Sequence, residues 1–207
     1  MIEIIIKGII IGLFISVPLG PIGMLCIQRT LNRGVKYGIA TGLGATTSDL
    51  IYTIITLFFL SFVIETIEQH RIVIQIVGSI ILITFGIFIF SSHPSTQPKP
   101  NETLEHSLLS DFFTSFGLTL SNPFVLFVLI ALFARFSFIN VKTTLFLSTI
   151  GILSILGGAL AWWCILTLLV SIFRNKLNMR GLKLLNKVTG CIIIIIGCVG
   201  IVLSMTN

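Results

Sequence analysis

Asp49 is the acidic residue set deepest in an apolar stretch of this chain, and the residues before it, GLGATTSD over 42–49, are small and polar. An ionised carboxylate at the centre of a membrane-spanning helix costs about 2.5–3.5 kcal/mol on insertion scales, so it normally faces a cavity or a partner. Such a group can take up a proton on one side and release it on the other, or meet a cationic ligand. Two other places carry potential chemistry: Pro18, Gly20 and Pro21 in one apolar run, and Asn122-Pro123 in another. Proline lacks the N–H and clashes with the preceding turn, so it kinks or breaks a helix. A broken helix presents the N-terminus of its second half inside the apolar layer, where free N–H groups and the helix dipole favour an anion such as a carboxylate. Trp162 and Trp163, after Gly157-Gly158, offer rings that can line a pocket or stack on a cation. Taken singly, each feature also has a plainer reading, as a packing kink, an interfacial acid or a space-filling ring.

The elements that must position these residues follow from composition. Of 207 residues, 55% are hydrophobic and only 10% charged, and the mean hydropathy is +1.11. An ordinary soluble domain carries about 25% charged residues, so a soluble enzyme or a nucleic-acid reader is excluded. A helical crossing needs about 20 apolar residues, and six apolar segments are visible, over 4–27, 37–64, 72–90, 112–134, 143–173 and 188–205. Runs such as IIIIIG (192–197) are apolar throughout, without the alternation of a barrel strand, so the segments read as helices. Residues 65–71 read as a short polar turn and 91–110 as a Pro-rich linker. The four cysteines lie within or at the edges of the apolar runs and read as small buried hydrophobes.

The net charge is +6. Arg29, Arg33, Lys36, Lys99, Arg174, Lys176, Arg180, Lys183 and Lys187 fall on one side of a six-crossing chain, and Lys7, Arg71, Arg135 and Lys142 on the other. The richer side is expected to be cytoplasmic, which puts both termini outside and the linker inside. The basic residues then act as topology signals and contacts for membrane lipid.

The chain also repeats itself weakly. Gly12-Leu-Phe-Ile-Ser-Val-Pro18 aligns with Gly117-Leu-Thr-Leu-Ser-Asn-Pro123, and Gly78-Ser-Ile-Ile-Leu-Ile with Gly190-Cys-Ile-Ile-Ile-Ile, in the same order. A repeat of three crossings must enter the membrane in the opposite sense the second time, and inverted repeats with broken helices mark secondary transporters. The expected fold is therefore all-α, with six transmembrane helices as two inverted three-helix repeats, residues 1–90 and 111–207, the first and fourth helices broken at prolines.

Pro18-Leu-Gly-Pro21, Arg29-Thr-Leu-Asn-Arg33-Gly34 and GIATGLGATTSD (38–49) resemble the first two helices of the LysE family of amino-acid exporters. FGLTLSNP (116–123), GGALAWW (157–163) and LNKVTGCIIIIIGCVGI (185–201) resemble its later helices, so the likeness covers almost the whole chain. Two departures stand out: Phe124 follows Asn122-Pro123 where the family commonly has lysine, and Ile22-Gly23-Met24 follows the first motif where polar residues are common. The resemblance implies a non-enzymatic exporter of amino acids or related small metabolites in the bacterial cytoplasmic (inner) membrane, driven by an ion or proton gradient. Pro18, Gly20, Pro21, Asp49, Asn122 and Pro123 match its motifs, and Trp162 joins them as a pocket candidate. No cofactor, nucleic acid or metal site is implied, and no Walker motif or zinc-peptidase motif is present. The alternatives are a metal-cation exporter of the same superfamily and a non-transporting membrane partner. Small-residue faces such as Gly38, Gly42 and Gly44 permit a homodimer.

Overall fold

A computed structural model of the chain describes residues 1–17, 20–69, 71–91, 107–122, 124–136, 138, 144–172 and 179–206. Eight helices are present among them: α1 (Ile2–Ser16), α2 (Pro21–Arg33), α3 (Val35–Gln69), α4 (Arg71–Ser91), α5 (Leu108–Leu120), α6 (Phe124–Phe136), α7 (Leu145–Ile172) and α8 (Met179–Thr206). No strand occurs among the described residues.

Two helices, α3 over Val35–Phe59 and α7, are long and apolar enough to cross a membrane alone. The pairs α1–α2 and α5–α6 pass the same test together and are bent at their junctions by 79° and 68°. Within α4 and α8 lie shorter apolar helical stretches, Gln75–Ser91 and Gly190–Ser204. Pro18 and Pro123, which the sequence assigns to the breaks, lie outside the described residues. The flanks are clear nonetheless. Gly20 is extended and Pro21 opens α2, where its missing N–H costs nothing. Ser121 and Asn122 end α5 with bonds back to the Gly117 and Thr119 carbonyls.

The pattern of burial is inside-out. On α3, Thr41, Thr46, Ser48, Asp49, Thr53 and Thr56 are buried, while Leu43, Ile54, Ile55, Phe58 and Phe59 are exposed. The other helices also turn Ile, Leu, Val and Phe outward. Contiguous apolar exteriors of this extent suit lipid rather than water, and the protein is a multi-pass membrane protein. Most Ser and Thr hydroxyls are satisfied within their own helix, as Thr46 to the Gly42 carbonyl at 2.9 Å and Ser154 to Ile150 at 2.7 Å. That economy fits a solvent that offers no hydrogen bonds.

Helices meet through small residues. A Cβ at Gly12 would overlap the Ile155 carbonyl, and one at Gly158 the Ile9 carbonyl, so α1 and α7 lie backbone to backbone. Gly44 holds the same close approach to Phe112 on α5, and Gly190 to Gly86 on α4. The contacts give the helix directions. Gly8 meets Gly151 and Ser154 while Gly12 meets Ile155 and Ala159, so α1 and α7 run parallel. Thr41 meets Ser115, Ser48 meets Phe116 and Tyr52 meets Leu120, so α3 and α5 run parallel too. Gly190 meets Gly86 and Phe90 while Gly197 meets Ser79 and Ile83, so α4 and α8 are antiparallel.

Several expectations are adjusted. The stretch 65–69 is not a turn: α3 continues to Gln69 and α4 starts at Arg71, because ETIEQ holds good helix formers and neither Gly nor Pro. α5 starts at Leu108, inside the stretch read as linker, with Ser107 as its N-cap accepting from the Ser110 N–H at 3.2 Å. α8 begins at Met179, so the basic run 180–187 is helical. Of the cysteines only Cys26 is buried, while Cys164, Cys191 and Cys198 are exposed on the outward faces. An apolar environment accepts a thiol there as readily as the interior does.

Candidate functional site

Asp49 lies on α3 at 4% exposure. The 3.6-residue period puts Gly42, Thr46, Asp49, Thr53 and Thr56 on one face of that helix. Two turns before Asp49, Gly42 packs directly on Trp163 of α7. One turn after it, Tyr52 reaches the end of α5. No described residue pairs with the Asp49 carboxylate or hydrogen-bonds to it.

Other buried hydroxyls share that condition. Ser16 Oγ, Thr53 Oγ1, Thr56 Oγ1 and Thr119 Oγ1 are buried and have no partner among the described residues, unlike the self-satisfied hydroxyls elsewhere. Ser16 ends α1 and Thr119 sits in the last turn of α5, so each stands beside a helix break. Trp162 and Trp163 carry unpartnered indole N–H groups. Buried polar atoms are almost always satisfied in native proteins. Orphan hydroxyls at Thr53 and Thr56, on the same face of α3 as a buried acid, therefore mark a place for water, an ion or a ligand.

The breaks differ in detail. α2 begins without a side-chain cap, and a Cβ on Gly20 would meet nothing within 4 Å. The Met24 N–H returns to the Gly20 carbonyl, and the Ile22 and Gly23 N–H groups have no partner among the described residues. That terminus, facing open space, is suited to an anion. Pro21 is exposed, and Trp162 is half-buried and packs with Ile22 of α2 against one buried cluster. At the second break, the Tyr52 hydroxyl donates to the Leu120 carbonyl at 2.6 Å and lies 3.2 Å from the Asn122 carbonyl. Asn122 is itself exposed. Tyr52 thus ties the frayed end of α5 to the helix that carries Asp49. Sequence reasoning missed Tyr52; its position three residues after Asp49, on a neighbouring strip of the helix, was the available signal.

A second polar group stands at the other end of α3. Asp111, fully buried, receives Arg29 Nε on Oδ1 at 3.1 Å and Arg33 Nη1 on Oδ2 at 3.0 Å. Arg29 Nη1 also donates to the Asp111 backbone carbonyl and to Thr41 Oγ1, both at 2.9 Å. The Arg33 guanidinium lies 4.1 Å over the Tyr37 ring. Gly34, at φ 102°, makes the tight turn that brings α2 back along α3. The sequence placed Asp111 at a segment end and read both arginines as topology signals; the structure makes them a buried junction between α2, α3 and α5. Their i, i+4 spacing, which sets both guanidiniums on one face, was the only hint.

A separate cleft lined by Phe14, Leu82, Phe85, Val128, Leu132, Ile193 and Ile196 is wholly apolar and lies between α1, α4, α6 and α8. It offers nothing for a polar ligand.

The family model described as LysE type translocator matches residues 13–204. A Bacillus subtilis (strain 168) protein whose name reads "Putative amino acid efflux protein YcgF" is 24% identical over 200 residues, which span 94% of this chain and 93% of that protein. No solved structure matches the chain.

Proposed function

Since this chain belongs to the LysE type translocator family, we propose that it exports amino acids or closely related small metabolites across the bacterial cytoplasmic membrane, by alternating access and at the expense of an ion or proton gradient. The observation that carries the reading is the buried carboxylate of Asp49, without a partner among the described residues, on the helix that Tyr52 ties to the second break of a translocator-family chain. The amino-acid efflux relative, similar over nearly its full length, supports the substrate class.

The chemistry of an amino acid fits the arrangement. Its ammonium would meet Asp49, and the hydroxyls of Thr53 and Thr56 would serve as further acceptors. Its carboxylate would take the open N-terminus of α2 at Gly20 and Pro21, with the start of α6 after Asn122-Pro123 as the counterpart. Trp162 and Trp163 would close one wall. When no substrate is bound, a proton on Asp49 would spare the charge, and its uptake and release would couple transport to the gradient.

The topology supporting this is six crossings, with α4 and α8 as the two beyond the four candidates by length. The parallel pairs α1·α7 and α3·α5, and the antiparallel pair α4·α8, are what alternating crossings require. They also exchange under a two-fold relation between residues 1–90 and 111–207. Both termini then lie outside, and the end with Arg29, Arg33 and Lys36 faces the cytoplasm.

The test is efflux. Cells loaded with dipeptides are profiled for amino acids released with and without the protein. Faster release of one or a few amino acids, lost in Asp49→Asn at equal membrane abundance, is expected. Full release by Asp49→Asn would remove Asp49 from the mechanism; no release of any amino acid by the native protein would remove the substrate class.

A further inference from the structure

Arg135 stands in the last turn of α6, beside Ser79 near the start of α4 and Gly200 near the end of α8. It is half-buried, and no described residue gives its guanidinium a hydrogen bond or an ion pair. Nor could a neighbour on these helices neutralise it, since α4, α6 and α8 contain no Asp or Glu. An arginine whose head merely reaches water at the end of a crossing needs nothing more than a clear path outward. Two features of the surroundings go beyond that.

The first is a cradle. A Cβ at Gly200 would lie 2.5 Å from Ser79 Oγ and 2.7 Å from Arg135 Nε, so the bare backbone of α8 is what lets the arginine lie between α6 and α4. Ser79 is fully buried, and its hydroxyl donates to the Gln75 backbone carbonyl at 2.7 Å. One turn further out, the buried Ser204 hydroxyl lies 3.4 Å from the Gln75 side-chain oxygen. Polar groups from α4 and α8 are thus stacked beside a cation from α6.

The second is what lies one turn inward. Leu82 follows Ser79, Leu132 precedes Arg135 and Ile196 precedes Gly200, each by three or four positions and so on the same helix face. All three line the apolar cleft between α1, α4, α6 and α8, whose space of about 240 Å³ runs out into the open exterior of the bundle. A cation backed within one turn by an apolar groove matches an anionic amphiphile. An amino acid fits poorly, because its ammonium would find no acid on α4, α6 or α8. A free inorganic anion would leave the groove unused.

We propose that Arg135 and the cleft beneath it bind one anionic phospholipid of the membrane. The lipid phosphate takes the guanidinium in a two-donor ion pair, and one acyl chain enters the cleft from its open side. The bound lipid then joins α4, from the first half of the chain, to α6 and α8 of the second. Basic pockets between membrane helices suit such headgroups. The inference does not rest on the export reading, and it holds whichever leaflet this end faces.

The test uses the full-length protein in phosphatidylcholine vesicles containing a trace of phosphatidylglycerol with a photoactivatable diazirine in its acyl chain. After illumination, the sites of insertion are mapped by peptide mass spectrometry. Insertion at Leu82, Leu132 and Ile196 is expected to exceed that of a diazirine phosphatidylcholine with the same chains by about tenfold. Leu153, 63% exposed on α7, reports general contact with lipid and is expected to take both probes alike. Arg135→Gln is expected to bring phosphatidylglycerol insertion in the cleft down to the phosphatidylcholine level and to leave Leu153 unchanged. Excess inorganic phosphate or leucine is expected to displace nothing.

The proposal is overturned if the two lipids insert equally in the cleft, or if Arg135→Gln keeps the preference. Displacement by phosphate would make this a site for a free anion, and displacement by leucine a site for an amino acid; either overturns the lipid assignment. Should Arg135→Gln fail to reach the membrane or lose the Leu153 signal, Gly200→Ala decides. Its added methyl takes the space of Arg135 Nε, so a cleft preference undiminished in that variant sinks the site.

Discussion

Asp49 and Asp111 are both withdrawn from the surface, at 4% and 0% exposure, yet their surroundings are opposites. Asp111 is held by two guanidiniums, and Arg29 also grips its backbone carbonyl. Asp49 is met by no described partner, and the hydroxyls nearest it in the helix pattern, Thr53 and Thr56, are orphans too. A buried charge with its partners joins elements together. A buried charge without them is an energetic liability, and it persists where something other than the folded chain completes it. The difference assigns the two acids to different tasks: Asp111 closes the α2–α5 junction, and Asp49 waits for a ligand or a proton.

The largest test of that contrast sets stability against activity. Asp111→Ala takes from the buried Arg29 the carboxylate it pairs with, and breaking a buried pair in this way costs about 3–5 kcal/mol. A marked fall in the thermal unfolding midpoint of the detergent-solubilised protein is the expected result. Asp49→Asn puts a neutral amide of the same shape in place of a buried acid that has no described partner, so the same measurement should show a midpoint equal to or above that of the native protein while efflux is lost. Equal destabilisation by both substitutions would erase the distinction.

Next in size is Tyr52→Phe. The change removes only the hydroxyl that ties α3 to the Leu120 carbonyl beside the second break. A buried acceptor left unsatisfied costs about 1–3 kcal/mol. A smaller drop in the unfolding midpoint is expected than for Asp111→Ala, together with a several-fold rise in the substrate concentration for half-maximal efflux. The first break has no described equivalent of Tyr52, since a Cβ at Gly20 would face open space. An unchanged concentration dependence in Tyr52→Phe would mean that the geometry of the second break does not matter to binding.

Much of this was legible in the residues. Asp49 and the small residues before it identify a buried acid because an apolar run makes any carboxylate conspicuous. The bends between α1 and α2 and between α5 and α6 fall where Gly20, Pro21 and Asn122 interrupt the apolar runs, and the effect of such residues on a helix is local. The apolar helices themselves are properties of windows of about 20 residues. What escaped depends on residues remote in sequence. Asp111 lies 82 positions from Arg29, and no periodicity within α2 or α5 announces that they meet. Tyr52 looked like one more aromatic in an apolar helix, and its role exists only because α5 frays 68 positions later. The outward cysteines show the converse limit. In a membrane protein, hydrophobic does not mean interior, so composition alone cannot say which face of a helix turns inward.

The finest test separates orphan hydroxyls from satisfied ones. Thr53 Oγ1 is buried without a described partner, whereas Thr167 Oγ1, equally buried on α7, bonds to the Trp163 carbonyl at 2.9 Å. Valine matches threonine in shape but replaces the hydroxyl with a methyl. At position 167 the swap removes a satisfied donor and should lower stability by about 0.5–1.5 kcal/mol, with efflux kept. At position 53 it removes an unsatisfied group, so stability should hold or rise by about 1 kcal/mol. Efflux should nevertheless fall, because the hydroxyl is needed only when the ligand is present. Comparing unfolding midpoints and efflux rates of Thr53→Val and Thr167→Val checks this directly. If Thr53→Val gains stability and exports at the native rate, the orphan hydroxyls are defects of packing, and the ligand must be held by Asp49 and the helix ends alone.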